Sequence, residues 1–266
     1  MRVHSLNCGT MRPVRTPDGL VCHVLLIEGP NSLTLVDSGL GLADAADPAG
    51  RFGEARFYVR PTFDTAEAAI NQVKALGFDP RDVRDIVLTH FDADHTGGLA
   101  DFPWAKVHLT AAENFAATHP KGLIEKGRYL RTHRIHDPIL VEHTPSDTEQ
   151  WRGFPGAKEL TDIATGIVLI NLPGHSRGHA AVAVDAGDHW IMHVGDSFYH
   201  HGQVDGSGKA PFALTAMERV IAHDWKTVQG NHNRLAQLWQ QADPDLVLVN
   251  AHCPTLLDLA RGKPTR

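Results

Sequence analysis

The chain has 266 residues, a formal net charge of −6 and three cysteines, Cys8, Cys22 and Cys253. This length supports one large hydrophobic core, and we expect a single α/β domain over residues 1–266. The acidic balance argues against nucleic acid and anionic membranes as partners, because both favour a basic surface, so we expect a small-molecule substrate. The odd cysteine count favours a reducing compartment over a disulfide framework.

The first thirteen residues contain no apolar run suited to a signal sequence, and no stretch approaches the roughly eighteen apolar residues of a membrane span. We therefore expect a cytoplasmic protein. The chain also contains 18 histidines, an unusual number for its length. Those histidines that lie near aspartates are the first candidates for a functional site.

The pattern in the first part of the chain predicts strands and helices in alternation. Strand-like runs at 21–28 and 32–37 flank a Gly-Pro-Asn turn. Apolar residues recur at three- and four-residue intervals over 66–76, which predicts an amphipathic helix. A short buried strand is predicted at 86–88, immediately before a cluster of histidine and aspartate.

The remaining pattern predicts further strands at 106–110, 167–172, 180–185, 190–194 and 246–250. Helices are predicted near 111–117, 214–225 and 234–242. Between them, residues 118–165 lose periodicity and accumulate proline, histidine and arginine, which predicts an inserted loop or lid. Two β-rich layers with helices outside them suit this order.

The motif Thr-His-Phe-Asp-Ala-Asp-His-Thr-Gly-Gly places His90, Asp92, Asp94 and His95 directly after a predicted strand. Side chains alternate along an extended segment, so the first three can project to one side, and His95 can join them where the chain turns. Such a loop can serve two metal ions. The alternative is a polar loop that caps the next helix.

Three further candidates also follow predicted strands. His175 comes after the strand at 167–172, Asp196 after the strand at 190–194, and His252 after the strand at 246–250. Sheet edges of this kind bring distant residues into one site. Imidazole and carboxylate together suit zinc, iron or manganese better than calcium or magnesium.

This whole pattern resembles the metallo-beta-lactamase superfamily over residues 21–254. The resemblance implies a four-layer αββα sandwich. It implies one metal ion on His90, Asp92 and His175, a second on Asp94, His95 and His252, and Asp196 between them. It also implies that Asp37 is a buried support for the metal loop.

One residue departs from the family motif His-x-His-x-Asp-His, because Asp92 stands where the second histidine belongs. An aspartate oxygen can reach the same ion, but Asp92, Asp94 and Asp196 then supply three negative ligands. With one hydroxide they would neutralise two divalent ions, which predicts a less acidic bound water and a tilt towards harder metals. We expect two divalent ions, zinc first, with iron and manganese as alternatives.

Two ions about 3.5–4 Å apart can share a hydroxide that attacks an electrophile, which predicts hydrolysis of a small ester, lactone or amide. The resemblance implies that Asp94, the last aspartate of the motif, is the proton acceptor and donor. Tyr199 lies three residues after Asp196, the offset at which acyl-homoserine-lactone lactonases of this superfamily carry a substrate-binding tyrosine. It either stabilises an oxyanion or only packs beside the metal loop, and His200 or His201 could supply the donor instead.

Substrate selection is expected in the least regular segments, 41–63 and 118–165. Phe52, Phe57 and Tyr58 could form an apolar wall. Arginines recur every three residues, and we favour a solvated helical face over an anion site for them; they are Arg128, Arg131 and Arg134. Three histidines in this stretch are expected at the surface because they have no partners at metal spacing; they are His133, His136 and His143.

Other functions remain open at this point. The flavodiiron branch of the superfamily also replaces the second histidine with a carboxylate, so an iron-dependent oxidoreductase is one alternative, although we expect no flavin-binding domain within residues 1–266. A phosphodiesterase is another, with the acidic balance arguing against long polynucleotides. A non-catalytic metal-binding domain of the same fold is the third.

Overall fold

A computed structural model describes residues 1–262, which form two main β-sheets with helices outside both. The strands are β1 Arg2–Met11, β2 Leu20–Glu28, β3 Leu33–Val36, β4 Val83–Val87, β5 Lys106–Thr110, β6 Ile139–His143, β7 Gln150–Trp151, β8 Phe154–Pro155, β9 Ala157–Glu159, β10 Ile167–Asn171, β11 Ala180–Asp185, β12 Trp190–His193 and β13 Leu246–Val249. The α-helices are α1 Leu42–Ala46, α2 Pro48–Phe52, α3 Ala55–Val59, α4 Ala69–Ala75, α5 Ala93–Thr96, α6 Ala111–Thr118, α7 Gly122–Arg128, α8 Phe212–Ile221, α9 Trp225–Gln240 and α10 Pro254–Ala260. Short 3-10 helices cover Thr65–Glu67, Pro80–Asp82, Gly97–Asp101, Arg131–Arg134 and His201–Gln203.

The first sheet has six strands in the order β1-β2-β3-β4-β5-β6. The first three strands are antiparallel, and β3 to β6 run parallel. The second sheet has five strands in the order β13-β12-β11-β10-β9, with only β12 and β13 parallel. Strands β7 and β8 form a separate hairpin.

The main hydrophobic core lies between the two sheets. Leu25 and Val87 of the first sheet belong to one buried cluster with Leu169 and Ile191 of the second. Helix α9 contributes Leu235 to the same cluster.

A second cluster covers the outer face of the first sheet, where Val73 of α4 and Ala116 of α6 pack with Leu35 and Leu109. Helices thus lie outside both sheets, and the predicted αββα sandwich is confirmed. Cys8, Cys22 and Cys253 are free and buried. Within the described residues, no helix has the length and apolar character needed to cross a membrane.

Several predicted element bounds differ from the observed ones. The strand Arg2–Met11 was not predicted, because its apolar positions do not alternate regularly. The helix expected at 66–76 is divided into a 3-10 turn and α4, and Gly77 follows with a positive φ of 89°. Helix α9 begins nine residues before the predicted 234, where Asp224 caps it by accepting hydrogen bonds from the next turn.

Residues 118–165 contain more regular structure than the sequence predicts. Strand Ile139–His143 completes the first sheet, and strand Ala157–Glu159 forms the edge of the second. Part of this stretch therefore belongs to the two sheets rather than to an insertion outside them. The action of any part of it as a lid stays a prediction.

Candidate metal centre

The loop after β4 carries four of the predicted ligands. Asp92 has an extended backbone, and its carbonyl accepts hydrogen bonds from the amides of His95 and Thr96, which begins α5. The chain therefore passes from an extended segment carrying His90 into a helical turn carrying Asp94 and His95. This change of direction lets four side chains approach one point from different angles.

The other three predicted ligands follow strands of the second sheet, His175 after β10, Asp196 after β12 and His252 after β13. Gly195 precedes Asp196 with a φ of 51°, and a Cβ atom there would lie 2.6 Å from His179 Nε2. A side chain at this position would be strained and would clash, so glycine allows the close packing at the centre.

The seven side chains form three overlapping groups whose ligand atoms lie within 4.8 Å of one another. These groups are His90, Asp92 and His175; His90, His95 and Asp196; and Asp94, His95 and His252. Asp196 lies between the outer two groups. Its Oδ1 is 3.2 Å from His95 Nε2, and its Oδ2 is 3.8 Å from His90 Nε2 and 3.7 Å from His175 Nε2. His252 Nε2 is 3.0 Å from Asp196 Oδ1 and 3.5 Å from Asp94 Oδ2.

Asp37 and Thr89 orient two of the histidine rings. Buried Asp37 accepts hydrogen bonds from His95 Nδ1 and the Thr89 hydroxyl through Oδ2, both at 2.8 Å. Because the Thr89 hydroxyl donates its proton to Asp37, its oxygen accepts from His90 Nδ1 at 3.0 Å. Both rings therefore present Nε2 to the site, as metal-binding histidines with a fixed tautomer do.

Backbone groups orient two further rings. His252 Nδ1 donates to the Val21 carbonyl at 2.8 Å, which leaves Nε2 facing Asp196. His179 Nδ1 donates to the Leu172 carbonyl at 2.9 Å, and its Nε2 accepts from the backbone N–H of Asp196 at 3.0 Å. Burial lowers the pKa of His179 well below its usual range, which keeps the ring neutral for this acceptor role. The sequence analysis did not identify His179.

The buried polar atoms at the centre fit a metal ion. His90 Nε2, His95 Nε2 and Asp196 Oδ1 make no aligned hydrogen bond with any residue in 1–262. Buried polar atoms are normally satisfied, and imidazole nitrogens with carboxylate oxygens are the donors that divalent transition metals take. The residues present therefore suit the divalent metal that this donor set implies.

The surroundings of Asp92 and Asp196 favour the ionised form of both carboxylates. Burial alone would raise the pKa of Asp196, but the neighbouring His252 and His95 outweigh it and hold the pKa well below its usual range. Burial also raises the pKa of Asp92, but Arg128, His90 and His175 together outweigh it and hold this pKa well below its usual range.

Arg128 is buried at the metal centre, so the predicted solvated face was wrong for this residue. Its Nε is 3.2 Å from Asp92 Oδ1, close enough for an ion pair, although the N–H is not aligned as a hydrogen bond. Its Nη1 donates to the His175 carbonyl at 2.6 Å and its Nη2 to the Ile221 carbonyl at 2.7 Å. Arg131, by contrast, is exposed as expected.

The three histidines expected at the surface have different environments. His133 and His143 are buried, so the prediction was wrong for both, and His136 is partly exposed. His133 Nε2 donates to the Arg51 carbonyl at 2.6 Å, and His143 Nε2 lies 2.9 Å from His108 Nδ1. Within the part of the chain described, none of these three histidines belongs to a potential metal group. Arg134 is partly buried against the ring of Phe91.

Glu113 of α6 is a buried supporting residue that the sequence analysis missed. Its Oε1 accepts from the backbone N–H of Phe91 at 3.0 Å and from the Tyr129 hydroxyl at 3.2 Å. Its Oε2 accepts from the Ser176 hydroxyl at 2.7 Å and the backbone N–H of Gly178 at 3.0 Å. One carboxylate thus joins the metal loop of the first sheet to the loop that carries His175.

Tyr199 lies at the centre. Its hydroxyl donates to Asp196 Oδ2 at 2.9 Å and is 3.5 Å from His175 Nδ1, and its ring stacks on His252 with 5.1 Å between centroids. The neighbouring His200 and His201 hydrogen-bond within their own loop instead. Of these three side chains, Tyr199 is the one placed to act as a donor in the site, and that role stays a prediction.

The predicted apolar wall is only partly present at the surface. Phe52 is buried and packs edge-on against Phe63 at 5.8 Å, so its inclusion was wrong. Phe57 is 64% exposed and Tyr58 55%. Partial burial and then the charges of Asp92 and Asp94 raise the pKa of Tyr58.

Comparison with known proteins shows the family to which the chain belongs. The family model of the metallo-beta-lactamase superfamily matches residues 17–247. A probable metallo-hydrolase of Mycobacterium tuberculosis is 51% identical over 98% of this chain and 83% of its own. The N-acyl homoserine lactonase AttM of Agrobacterium fabrum is 30% identical over 60% of this chain and 57% of its own. A solved structure of an N-acyl homoserine lactone hydrolase with N-hexanoyl-L-homoserine at its catalytic metal centre has a TM-score of 0.65 and 19% identity, covering 99% of this chain and 96% of that one.

Proposed function

The chain belongs to the metallo-beta-lactamase superfamily and is a hydrolase of that fold, and we propose that it uses two divalent metal ions to hydrolyse a small lactone or ester. The observation that carries this proposal is the set of overlapping donor groups. The middle group consists of His90, His95 and Asp196, and it shares a residue with each outer group. A pair of neighbouring ions would therefore use all seven side chains, which a single ion would not.

The proposed ligands divide as the donor groups do. One ion would be held by His90, Asp92 and His175, and the other by Asp94, His95 and His252. Asp196 would be shared between them, because its carboxylate lies 3.2 Å from His95 Nε2 of one group and 3.7 Å from His175 Nε2 of the other. We propose zinc, since imidazole-rich sites with a few carboxylates suit it, and iron and manganese are the alternatives that metal analysis would reveal.

When bound, a pair of divalent ions lowers the pKa of a water molecule and polarises the bond under attack. The side chains supply the rest of the chemistry. Asp94 is half-buried beside His252 and is the proposed group that receives the proton from the water and delivers it to the leaving oxygen. The buried Tyr199 hydroxyl is the proposed donor to the substrate carbonyl.

The substrate class rests on two features. The Tyr199 hydroxyl contacts Asp196, so a neutral donor lies beside the proposed ligands, where a developing oxyanion would need one. Phe57 and Tyr58 expose apolar surface on α3, and the charges of Asp92 and Asp94 act on Tyr58, which suits an uncharged substrate with an apolar part. The similarity to N-acyl homoserine lactonases favours a lactone over an amide.

Metal analysis together with a hydrolysis panel tests the proposal. We expect about two equivalents of transition metal per chain after expression in supplemented medium. The panel should contain lactones, aryl esters, β-lactams and phosphodiesters, with lactones expected to react fastest. Asp94→Ala should reduce the rate by roughly 10²- to 10⁴-fold, whereas Asp188→Ala, a change on an exposed loop, should not.

Four outcomes would count against this function. Less than about one equivalent of metal would exclude the dinuclear site. Activity that survives a strong chelator, or is unchanged in Asp94→Ala, would remove the proposed mechanism. Preference for phosphodiesters over lactones would assign the chain to the phosphodiesterase alternative.

A further inference from the structure

We propose that Arg128 is a positioning residue for the metal site, which fixes Asp92 and offsets its negative charge so that an aspartate can occupy this ligand position. The inference rests on the proposed dinuclear site. It concerns the feature by which this chain departs from the superfamily motif, the carboxylate at position 92.

The guanidinium of Arg128 is held rigidly. Its side chain is only 5% exposed, and two of its three nitrogens donate to backbone carbonyls, those of His175 and Ile221. The remaining nitrogen, Nε, faces Asp92 at 3.2 Å. A planar group fixed at two corners cannot swing away, so its charge stays beside Asp92.

The two oxygens of Asp92 have different partners. Oδ1 faces Arg128, and Oδ2 lies 3.0 Å from His175 Nε2 and 3.5 Å from His90 Nε2. Arg128 therefore leaves Asp92 with one oxygen for an ion, as a histidine would offer one nitrogen. The same arginine also binds the backbone of His175, so one side chain fixes two of the three ligands of this group.

With Arg128 included, the net charge of the site equals that of a site with a histidine at position 92. Three aspartates contribute three negative charges, and the guanidinium, which stays protonated in proteins, removes one of them. The net ligand charge is then the same as with a neutral histidine at position 92. The preference for harder metals was expected from the three aspartates alone. With the charge of Arg128 included, that preference should be weaker.

A double-mutant cycle tests whether the two residues act together. The variants are Asp92→His, Arg128→Met and the combination, each stripped of metal and titrated with zinc against a chromophoric chelator. In Asp92→His, a buried cation faces a neutral ligand and a metal ion, so we expect zinc affinity to fall by about tenfold or more. Arg128→Met should also weaken binding in the wild-type background, yet restore it in the Asp92→His background.

Two further variants separate charge from structure. Arg128→Lys retains the charge, so combined with Asp92→His it should not restore zinc affinity. Arg131→Met changes an exposed arginine three residues away and should leave affinity unchanged. Thermal unfolding of each metal-free variant measures the loss of the two carbonyl contacts separately from metal binding.

The outcomes distinguish the two proposals. If Arg128→Met weakens zinc binding equally in both backgrounds, Arg128 is only structural and this inference fails. If Asp92→His alone binds two ions as tightly as wild type, the inference also fails. If the wild-type chain does not bind two ions, the proposed dinuclear site fails first.

Discussion

Asp37 accepts a hydrogen bond from His95 Nδ1 at 2.8 Å although it precedes that residue by 58 positions. The same carboxylate accepts from the backbone N–H of Thr89 through its other oxygen at 2.8 Å. Its backbone adopts a left-handed conformation with a φ of 59°, which aspartate tolerates better than most residues. Both oxygens of Asp37 are thus used as acceptors beneath the metal loop.

Asp37→Asn should weaken metal binding by about 10- to 100-fold, because an amide has only one acceptor oxygen and its nitrogen would face a donor. Either the His95 contact or the backbone contact of Thr89 would be lost. Chelator competition measures this effect, and Asp188→Asn at an exposed position is the matched control. Unchanged affinity would show that the His95 ring is held adequately without Asp37.

Tyr199→Phe tests the proposed donor with the least change in shape. We expect kcat for a lactone to fall by roughly 10²-fold, with metal content retained, since the proposed ligands remain in place. The stacking of the ring on His252 should persist. A phenylalanine variant with wild-type kcat would indicate that Tyr199 only packs beside the ligands.

Glu113→Gln should destabilise the fold by about 3 kcal/mol, because the amide nitrogen would face at least one donor that the carboxylate now satisfies. Urea unfolding of the metal-free protein measures this free energy. Glu54→Gln is the control, since the Glu54 side chain is 86% exposed. An equal effect of the two substitutions would contradict the supporting role of Glu113.

Stability should also depend on pH through His143, which is not one of the proposed metal ligands. Burial, and then the neighbouring His108, lowers the pKa of His143 to about 4, against about 6.5 in an unfolded chain. Between these values the unfolded state binds a proton that the folded state excludes. The contribution of His143 to the free energy of unfolding is therefore fully present above about pH 6.5 and is lost as the pH falls towards 4.

The comparison variant is His143→Gln, which removes the titrating ring. In metal-free protein, the unfolding free energy of the wild type should fall more steeply than that of the variant between about pH 6.5 and 4. Above that window the two curves should run parallel. Parallel curves throughout would show that His143 has an ordinary pKa in the folded protein.

Residues close in sequence to a strand end were the easiest to predict. The seven proposed ligands are histidines and aspartates in loops that follow apolar runs, and the structure brings all seven close together. The order of strands suits two β-rich layers with helices outside them, and the resemblance to the superfamily implies the four-layer αββα sandwich. These features depend on local pattern, which a sequence displays directly.

Arg128 and Glu113 were not predictable in this way. Arg128 recurs with two other arginines at three-residue spacing, which is typical of a solvated face, and its partner Asp92 lies 36 positions earlier. Glu113 resembles an ordinary helix-capping residue, since Thr110 caps α6 and glutamate at the third helical position is common there. In both cases a tertiary partner, invisible in local pattern, determines the role.

Each proposed ion position takes ligands from both sheets: His90 and Asp92 meet His175, and Asp94 and His95 meet His252. Neither sheet alone offers an ion a complete set of ligands. We therefore expect metal to bind after the sheets have docked by their apolar faces, and to slow unfolding more than it accelerates folding. Protein depleted of metal should keep its secondary structure, but its two sheets should separate from each other more readily.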